Sequence, residues 1–221
     1  MMRSDSSDGV QPSVLRRLLG SVFEWQTYRN VLFLLVRFPL GVAYFTTFFT
    51  GLVLGVVLAP LGIGIPFLGV VIGFSDYAGR FEATVTNRLL GTEIAYAPIH
   101  DPHEQPLVPY VKATLTEPRS YLLVAYFLVS LAVGIGTFTF LVTAFAFGAV
   151  LLLAPVAAVT PSLDYTVPDP ALTGGTVPID TLPEGLALSV LGVVSLVVSV
   201  HLANAIATTH SRGTAAVLHA T

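Results

Sequence analysis

Asp, Glu, Lys and Arg are absent from three long stretches of the chain, Phe38–Ser75, Ser120–Leu163 and Gly185–Ser211. A helix that crosses a bilayer core needs about 20 apolar residues, so the first stretch is too long for one span. It is interrupted at Ala59–Pro66, where clustered proline and glycine predict a tight turn. We therefore predict four spans, over about residues 28–58, 65–79, 121–153 and 182–207.

In the second stretch, Tyr121–Leu153 contains no strong helix breaker, although Gly134, Gly136 and Gly148 could bend a helix there. Either one long span or two short ones are therefore possible, and one long span is preferred. The positive-inside rule separates the two readings. With four spans and both termini cytoplasmic, all ten basic residues lie on the cytoplasmic side or at its membrane edge. The segment 154–181 contains aspartates but no Lys or Arg, so it is predicted to be an extracellular loop.

Composition places the chain in the class of integral membrane proteins. Hydrophobic residues make up 54% of it and charged residues only 10%, whereas soluble domains carry roughly 25% charged residues. The absence of cysteine excludes disulfides and thiol chemistry. The net charge of −3 and the lack of a basic run give no reason to expect a nucleic-acid partner.

The two halves of the chain resemble each other. The segment Arg37–Phe45 aligns with Ser130–Phe138, and Ala59-Pro60 aligns with Ala154-Pro155 after a short slip. Because both halves enter from the cytoplasm under the four-span prediction, they would form a parallel repeat. Shared apolar composition is the alternative explanation. The predicted fold is thus all-α, an integral membrane four-helix bundle built from two parallel-repeat helical hairpins.

This organisation predicts a single membrane domain over residues 25–221. Residues 1–24 form a cytoplasmic tail, partly disordered, without the apolar segment of a signal peptide. Residues 80–119 form a cytoplasmic linker between the hairpins.

Four segments together resemble a known family. They are RNVLFLLVRFPLGVAYF, APLGIGIPFLG, the tail that ends in RLLG, and GGTVPIDTLPEGLAL. In this order they are similar to the putative sensor domain of bacterial and archaeal membrane signalling proteins, over about Trp25 to Leu218. That domain often precedes a histidine kinase and also occurs alone. The resemblance implies a four-helix membrane module that detects a stimulus, with no established catalytic residues.

Because the chain stops at Thr221, the expectation is a stand-alone sensor that passes its state to a separate kinase or regulator. It would have no catalytic activity and no cofactor, and it would be embedded in the lipid bilayer of the cell membrane. A small oligomeric transporter or channel subunit is the alternative function, and a purely structural subunit is a third.

Polar residues within the spans are the first candidates for function. Asp76 and Arg80 have the favourable i,i+4 order and suit either a switch pair or an interfacial pair. Arg37 is expected to reach the cytoplasmic interface with its long stem. His201 and Asn204 lie one helical turn apart and suit either inter-helix hydrogen bonds or, through His201, pH sensing.

The extracellular loop supplies a second group. Its candidate ligand-binding residues are Asp164, Tyr165, Asp169 and Asp180, and its candidate residues for the start of the last helix are Asp180, Thr181 and Glu184. The small residues Gly51, Gly55, Gly69 and Gly73 form two GxxxG patterns, which fit packing within the chain or a homodimer. His100, Asp101 and His103 lack a second cluster that would complete a metal site, so no metal is predicted.

Overall fold

The computed structural model describes residues 24–98, 106–160, 163, 165–168 and 175–220. Helices dominate this part of the chain, so the all-α prediction is confirmed at that level. The helices are α1 (Trp25–Leu58), α2 (Gly64–Leu90), α3 (Leu107–Thr116), α4 (Pro118–Leu152), α5 (Ala154–Ala158) and α6 (Leu182–Ala220). Two three-residue strands, β1 (Thr166–Pro168) and β2 (Thr176–Pro178), pair antiparallel between α5 and α6.

The turn between α1 and α2 follows the predicted break. Ala59–Leu61 forms a single 3-10 turn, and Gly62 adopts a left-handed backbone with φ 79°, which glycine tolerates without a steric cost. Proline at the start of a helix loses no hydrogen bond, and Pro60 occupies that position in the 3-10 turn, as Pro155 does in α5. The Ala-Pro pairs aligned in the sequence therefore have similar local roles.

Three helices among the described residues are long and apolar enough to cross a membrane, namely Trp25–Leu61, Pro118–Leu152 and Leu182–His219. The predicted second span lies in α2, which does not meet this standard. From its middle onward α2 carries the buried Asp76, then Arg80, Glu82 and Arg88, and these charges shorten its apolar part. The four-span bundle is therefore not confirmed as such.

The long helices form two antiparallel hairpins, α1 with α2 and α4 with α6. In the first, Gly55 of α1 faces Leu68 of α2, Gly51 faces Val71, and Arg37 reaches Glu82. In the second, Gly185 of α6 faces Pro155, and Gly148 of α4 faces Leu196.

The two hairpins meet along α1 and α4, and these helices run in opposite directions. Phe38 stacks on Phe138 with ring centroids 4.9 Å apart, whereas Tyr44 lies 4.6 Å from Phe127. Residue numbers therefore fall along α4 as they rise along α1. The parallel relation predicted for the hairpins is wrong in this respect. If α1 and α4 were parallel, residues farther along α1 would contact residues farther along α4.

A pair of glycines lies where α1 and α4 cross. A Cβ atom on Gly41 would lie 2.7 Å from the carbonyl oxygen of Ser130, and one on Gly134 would lie 2.9 Å from the carbonyl oxygen of Arg37. Only glycine allows two helix backbones to approach this closely. Gly41 and Gly134 are aligned with each other in the sequence comparison of the two halves. In the structure each lies against the backbone of the other helix, although the two helices run in opposite directions.

The segment between the hairpins explains this reversal. After α2 ends, the chain returns along it, since Tyr96 packs on Gly79, Tyr110 on Gly73 and Val111 on Gly69. As a result α4 begins beside the end of α1 and descends along it. The helices α1 and α6 then run in the same direction, so the prediction that both termini emerge on one side is not confirmed.

Buried side chains form two clusters along the bundle. One contains Phe33 and Leu34 of α1 with Leu141 of α4 and Ala203 and Ala207 of α6. The other contains Tyr44 and Phe48 of α1, and it extends to α2, α4 and the end of α6 through Ile72, Leu123, Phe127 and Leu218. Arg37 lies between these two clusters in the sequence of α1.

We expect cysteine pairs to distinguish the two helix directions, since the chain has no native cysteine. In membranes, Phe38→Cys with Phe138→Cys should form a cross-link with a short bifunctional maleimide. Phe45→Cys with Phe138→Cys, the pair aligned in a parallel repeat, should not, because Phe45 lies roughly 10 Å farther along α1 at about 1.5 Å per residue. Gel mobility after proteolysis between the two positions measures both yields, and a higher yield for the second pair would contradict the antiparallel packing.

Candidate functional site

An ion pair lies in the middle of the bundle. Nη1 of Arg37 on α1 donates to Oε1 of Glu82 on α2, and each side chain is only 1% exposed. Arg37 is one turn before Gly41, where α4 comes closest to α1. The surrounding helices thus separate both charges from solvent.

Two tyrosine hydroxyls complete the bonding of the carboxylate. Tyr44 of α1 donates to Oε2 of Glu82 at 3.1 Å, and Tyr126 of α4 donates to Oε1 at 3.1 Å. The hydroxyl of Tyr126 also accepts from Nη2 of Arg37 at 3.0 Å. A buried charge is tolerated only when it is paired and hydrogen-bonded, and both oxygens of Glu82 meet that condition.

The fourth long helix joins through Thr214 of α6, whose hydroxyl lies 2.9 Å from that of Tyr126. The proton of Tyr126 is already donated to Glu82, so Thr214 is the donor in this contact. We call Arg37, Tyr44, Glu82, Tyr126 and Thr214 the Arg37 network. It contains side chains from each of the four long helices. Among the described residues, the buried Nε of Arg37 has no hydrogen-bond partner.

Aromatic rings shield the network from one end of the bundle. Phe127 stacks on Phe48 with ring centroids 5.2 Å apart and an interplanar angle of 8°, and it also contacts the ring of Tyr44. The guanidinium carbon of Arg37 lies 5.6 Å from the ring centroid of Tyr126, within the range of a cation–π contact. In such dry surroundings the attraction between opposite charges is stronger than in water.

A second polar cluster, which we call the amide cluster, lies at the beginning of α1 and contains Gln26, Thr27, Arg29, Asn30 and Asn204. Nδ2 of Asn30 donates to Oδ1 of Asn204 on α6 at 2.8 Å, and Nδ2 of Asn204 donates to the hydroxyl of Thr27 at 3.1 Å. Gln26 donates to the carbonyl oxygen of Leu89, and Arg29 to that of Arg88, at the end of α2. Side chains of α1 therefore bind the free carbonyls at the C-terminus of α2.

The returning segment 91–98 is held to α2 by polar contacts. Tyr96 donates to Oδ1 of Asp76 at 2.6 Å, and the carboxamide of Asn87 bonds to both the amide and the carbonyl of Ile94. These contacts fasten the segment to the outer face of α2.

The profile of the family described as "Putative sensor" matches residues 33–218. The chain belongs to this family. Comparisons with curated proteins and with solved structures give no match.

The residues that match the Putative sensor family contain the whole Arg37 network. The match begins four residues before Arg37 and ends four residues after Thr214. Membership of this family supports a sensor role for the chain.

The polar residues predicted within the spans have different environments. Arg37 does not extend to an interface, since Glu82 neutralises it inside the bundle. Asp76 is buried against Tyr96, whereas Arg80 is exposed. Asn204 makes inter-helix hydrogen bonds, and Nδ1 of His201 bonds within α6 to the carbonyl oxygen of Val197 at 2.8 Å.

The four GxxxG glycines all face this chain. Gly51 and Gly55 face Val71 and Leu68 of α2, while Gly69 and Gly73 face Val111 and Tyr110 of α3. This placement agrees with packing within the chain. The homodimer stays a prediction.

The loop residues are only partly described. Tyr165 donates to the carbonyl oxygen of Val150 at 3.0 Å beside a cavity of about 310 Å³, and partial burial raises the pKa of its phenol. Asp180 is exposed. Thr181 directly precedes α6, and Glu184 lies in its first turn.

Several predicted residues lie outside the described part of the chain, namely Asp164, Asp169, His100, Asp101 and His103. Among the residues that are described, no group of three or more His, Asp or Glu side chains is placed to hold a metal ion.

Sequence reasoning missed Tyr44, Glu82, Tyr126 and Thr214. The available signal was Arg37 itself, because a charge within an apolar helix generally requires a partner. Glu82 was assigned to the cytoplasmic linker, two residues beyond the start of that linker, and this placement concealed the pair.

Stability measurements should reveal the cost of leaving Arg37 unpaired. Glu82→Gln removes the charge but keeps the shape, and breaking a buried pair in this way costs about 3–5 kcal/mol. The double variant Arg37→Met, Glu82→Leu should recover most of this loss, since it buries no charge. Reversible unfolding of purified protein in mixed micelles measures the free energies.

The control is Glu93→Gln, which changes an exposed glutamate and should leave the free energy of unfolding nearly unchanged. Equal losses in Glu82→Gln and Glu93→Gln would contradict the structural role of the ion pair. A double variant that is less stable than Glu82→Gln would contradict it as well.

Proposed function

We propose that the protein is a membrane sensor module whose state is the arrangement of its four long helices around the Arg37 network. In this proposal a stimulus changes the arrangement, and a separate kinase or regulator responds to it. The module has no catalytic activity of its own. The observation that carries the proposal is one buried ion pair whose hydrogen-bond network joins side chains of α1, α2, α4 and, through Tyr126, α6 in a member of a sensor family.

The bonding of the network favours discrete states over gradual movement. If α4 moved away, Glu82 would lose a hydrogen bond and Arg37 would lose a partner while both stayed buried. An unsatisfied buried polar group costs roughly 1–3 kcal/mol, and more if it is charged. Intermediate positions are therefore disfavoured, which is the property required of a two-state element that a ligand can bias.

The ends of the helices offer a route to a partner. Thr214 lies six residues before the last residue of α6, and the amide cluster connects the beginning of α1 with α6 and with the end of α2. A shift of α6 relative to α1 would alter both places together. We propose that the partner reads the relative position of the beginning of α1 and the end of α2, which lie together at one end of the bundle.

The proposal predicts a partner whose output depends on the network. The tagged full chain, cross-linked in its native membranes, should capture a signalling protein. Glu82→Gln should change the activity of that protein, measured as autophosphorylation or target-gene transcription, by several-fold while the chain remains in the membrane. The change is expected because the variant no longer favours one helix arrangement.

Glu93→Gln is the matched control, because it makes the same substitution at an exposed site, and it should keep wild-type output. Output that is identical in wild type, Glu82→Gln and Glu93→Gln would overturn the proposal. Ion or solute flux through vesicles that contain the purified chain, lost in Glu82→Gln, would favour the transporter instead.

A further inference from the structure

A groove of about 560 Å³ runs between α4 and α6 on the outside of the bundle. Its walls are largely apolar, with Val133 on α4 and Leu202, Ile206 and Val217 on α6. The volume is within the range of about 300–1,000 Å³ found for small-molecule sites. Both helices are long and apolar enough to cross a membrane, which makes a molecule dissolved in the bilayer the first class of ligand to consider.

One glycine keeps the groove open. Gly213 lines it, and a Cβ atom built at that position would meet nothing within 4 Å. A helical glycine is otherwise unfavourable by about 1 kcal/mol relative to alanine. The space beside Gly213 is therefore available to a bound molecule.

The polar groups of the groove can mainly accept hydrogen bonds. Thr137 donates its proton to the carbonyl oxygen of Val133 at 2.8 Å, and Thr209 donates to that of Ala205 at 2.9 Å. Thr214 donates to Tyr126, as argued above. The oxygens of these hydroxyls keep free lone pairs. His210 also lines the groove, and its Nε2 is buried without a partner among the described residues.

The same groups argue against a charged ligand. The groove is lined by apolar and hydroxyl-bearing residues together with His210, and the nearest buried charges, Arg37 and Glu82, neutralise each other. A charged head group would lose its hydration without gaining a counterion, which is costly. A neutral donor, such as a hydroxyl, would meet acceptors.

We propose that this groove binds an amphipathic alcohol from the membrane, with its hydrocarbon body along α4 and α6 and its hydroxyl at Thr209, His210 and Thr214. Thr214, which the ligand contacts, is itself two hydrogen bonds from Glu82, through the hydroxyl of Tyr126. The part of this inference that makes the alcohol the stimulus rests on the proposed function. The binding itself does not depend on it.

Photolabelling tests the site with defined probes. The full chain, reconstituted in phosphatidylcholine vesicles, is irradiated with a long-chain primary alcohol that carries a diazirine in its chain. The methyl ether and the carboxylic acid of the same chain are the comparison probes. Mass spectrometry should place saturable labelling by the alcohol in α4 and α6 around the groove, with much weaker labelling by the ether, which cannot donate.

Gly213→Leu should lower the labelling by about tenfold, because the leucine occupies the open space and a tenfold loss needs only about 1.4 kcal/mol. Gly136→Leu is the control, since a Cβ at Gly136 also meets nothing within 4 Å but that residue does not line the groove. Thr209→Val, which removes an acceptor while keeping the size of the side chain, should weaken labelling by the alcohol specifically.

Equal labelling by alcohol and ether, stronger labelling by the acid, or unchanged labelling of Gly213→Leu would each overturn the proposal. Failure of the proposed function gives a different pattern, in which the alcohol labels the groove but does not alter the output of the partner. If the output depends on Glu82 and the groove is not labelled, the sensor stands and the ligand class is wrong.

Discussion

The structure depends on one desolvated ion pair. Moving Arg37 and Glu82 out of water is expensive, and the cost is offset only while Tyr44 and Tyr126 keep their hydrogen bonds to the carboxylate. Since the partners come from different helices, the four long helices must keep their relative positions for the bonding to be complete. We propose that this pair serves less to stabilise the fold than to select one arrangement of the helices, since a buried ion pair often adds little net stability.

The close crossing of α1 and α4 makes this pair accessible to Tyr126. Gly41 and Gly134 allow the two backbones to approach, and the guanidinium of Arg37, one turn from Gly41, then lies within reach of α4. The antiparallel direction of these helices follows from the return of residues 91–98 along α2, held by Tyr96 on Asp76. The position of the ion pair is thus a consequence of small residues and of the path between the hairpins.

Helix positions could be predicted well from the sequence, because they follow from hydropathy and from local signals. The spans predicted over 28–58 and 121–153 correspond to Trp25–Leu58 and Pro118–Leu152, and the predicted turn at Ala59–Pro66 lies where Gly62 reverses the chain. These features depend on neighbours in the sequence. The order of four segments also predicts membership of the sensor family, and the match of that family to residues 33–218 confirms it.

Helix direction and the partner of Arg37 could not be predicted in the same way. Neither α4 nor α6 has its apolar residues concentrated on one face, so their periodicity does not indicate which side is buried. The aligned glycines fit either direction, since Gly41 and Gly134 occupy equivalent places in both. Glu82 stands two residues after Arg80, where the apolar segment has ended. Only the packing of α2 against α1 shows that its side chain is buried in the bundle.

The distance between α2 and α6 tests the central claim most directly. Spin labels at Thr84→Cys and Ala216→Cys occupy exposed positions on these helices, and pulsed electron paramagnetic resonance in vesicles gives the distribution of distances between them. The account predicts one narrow distribution for the otherwise unchanged protein and a broadened or second distribution when Glu82→Gln is added. A distribution that is the same with and without Glu82→Gln would contradict the claim that the ion pair holds the helices in one arrangement.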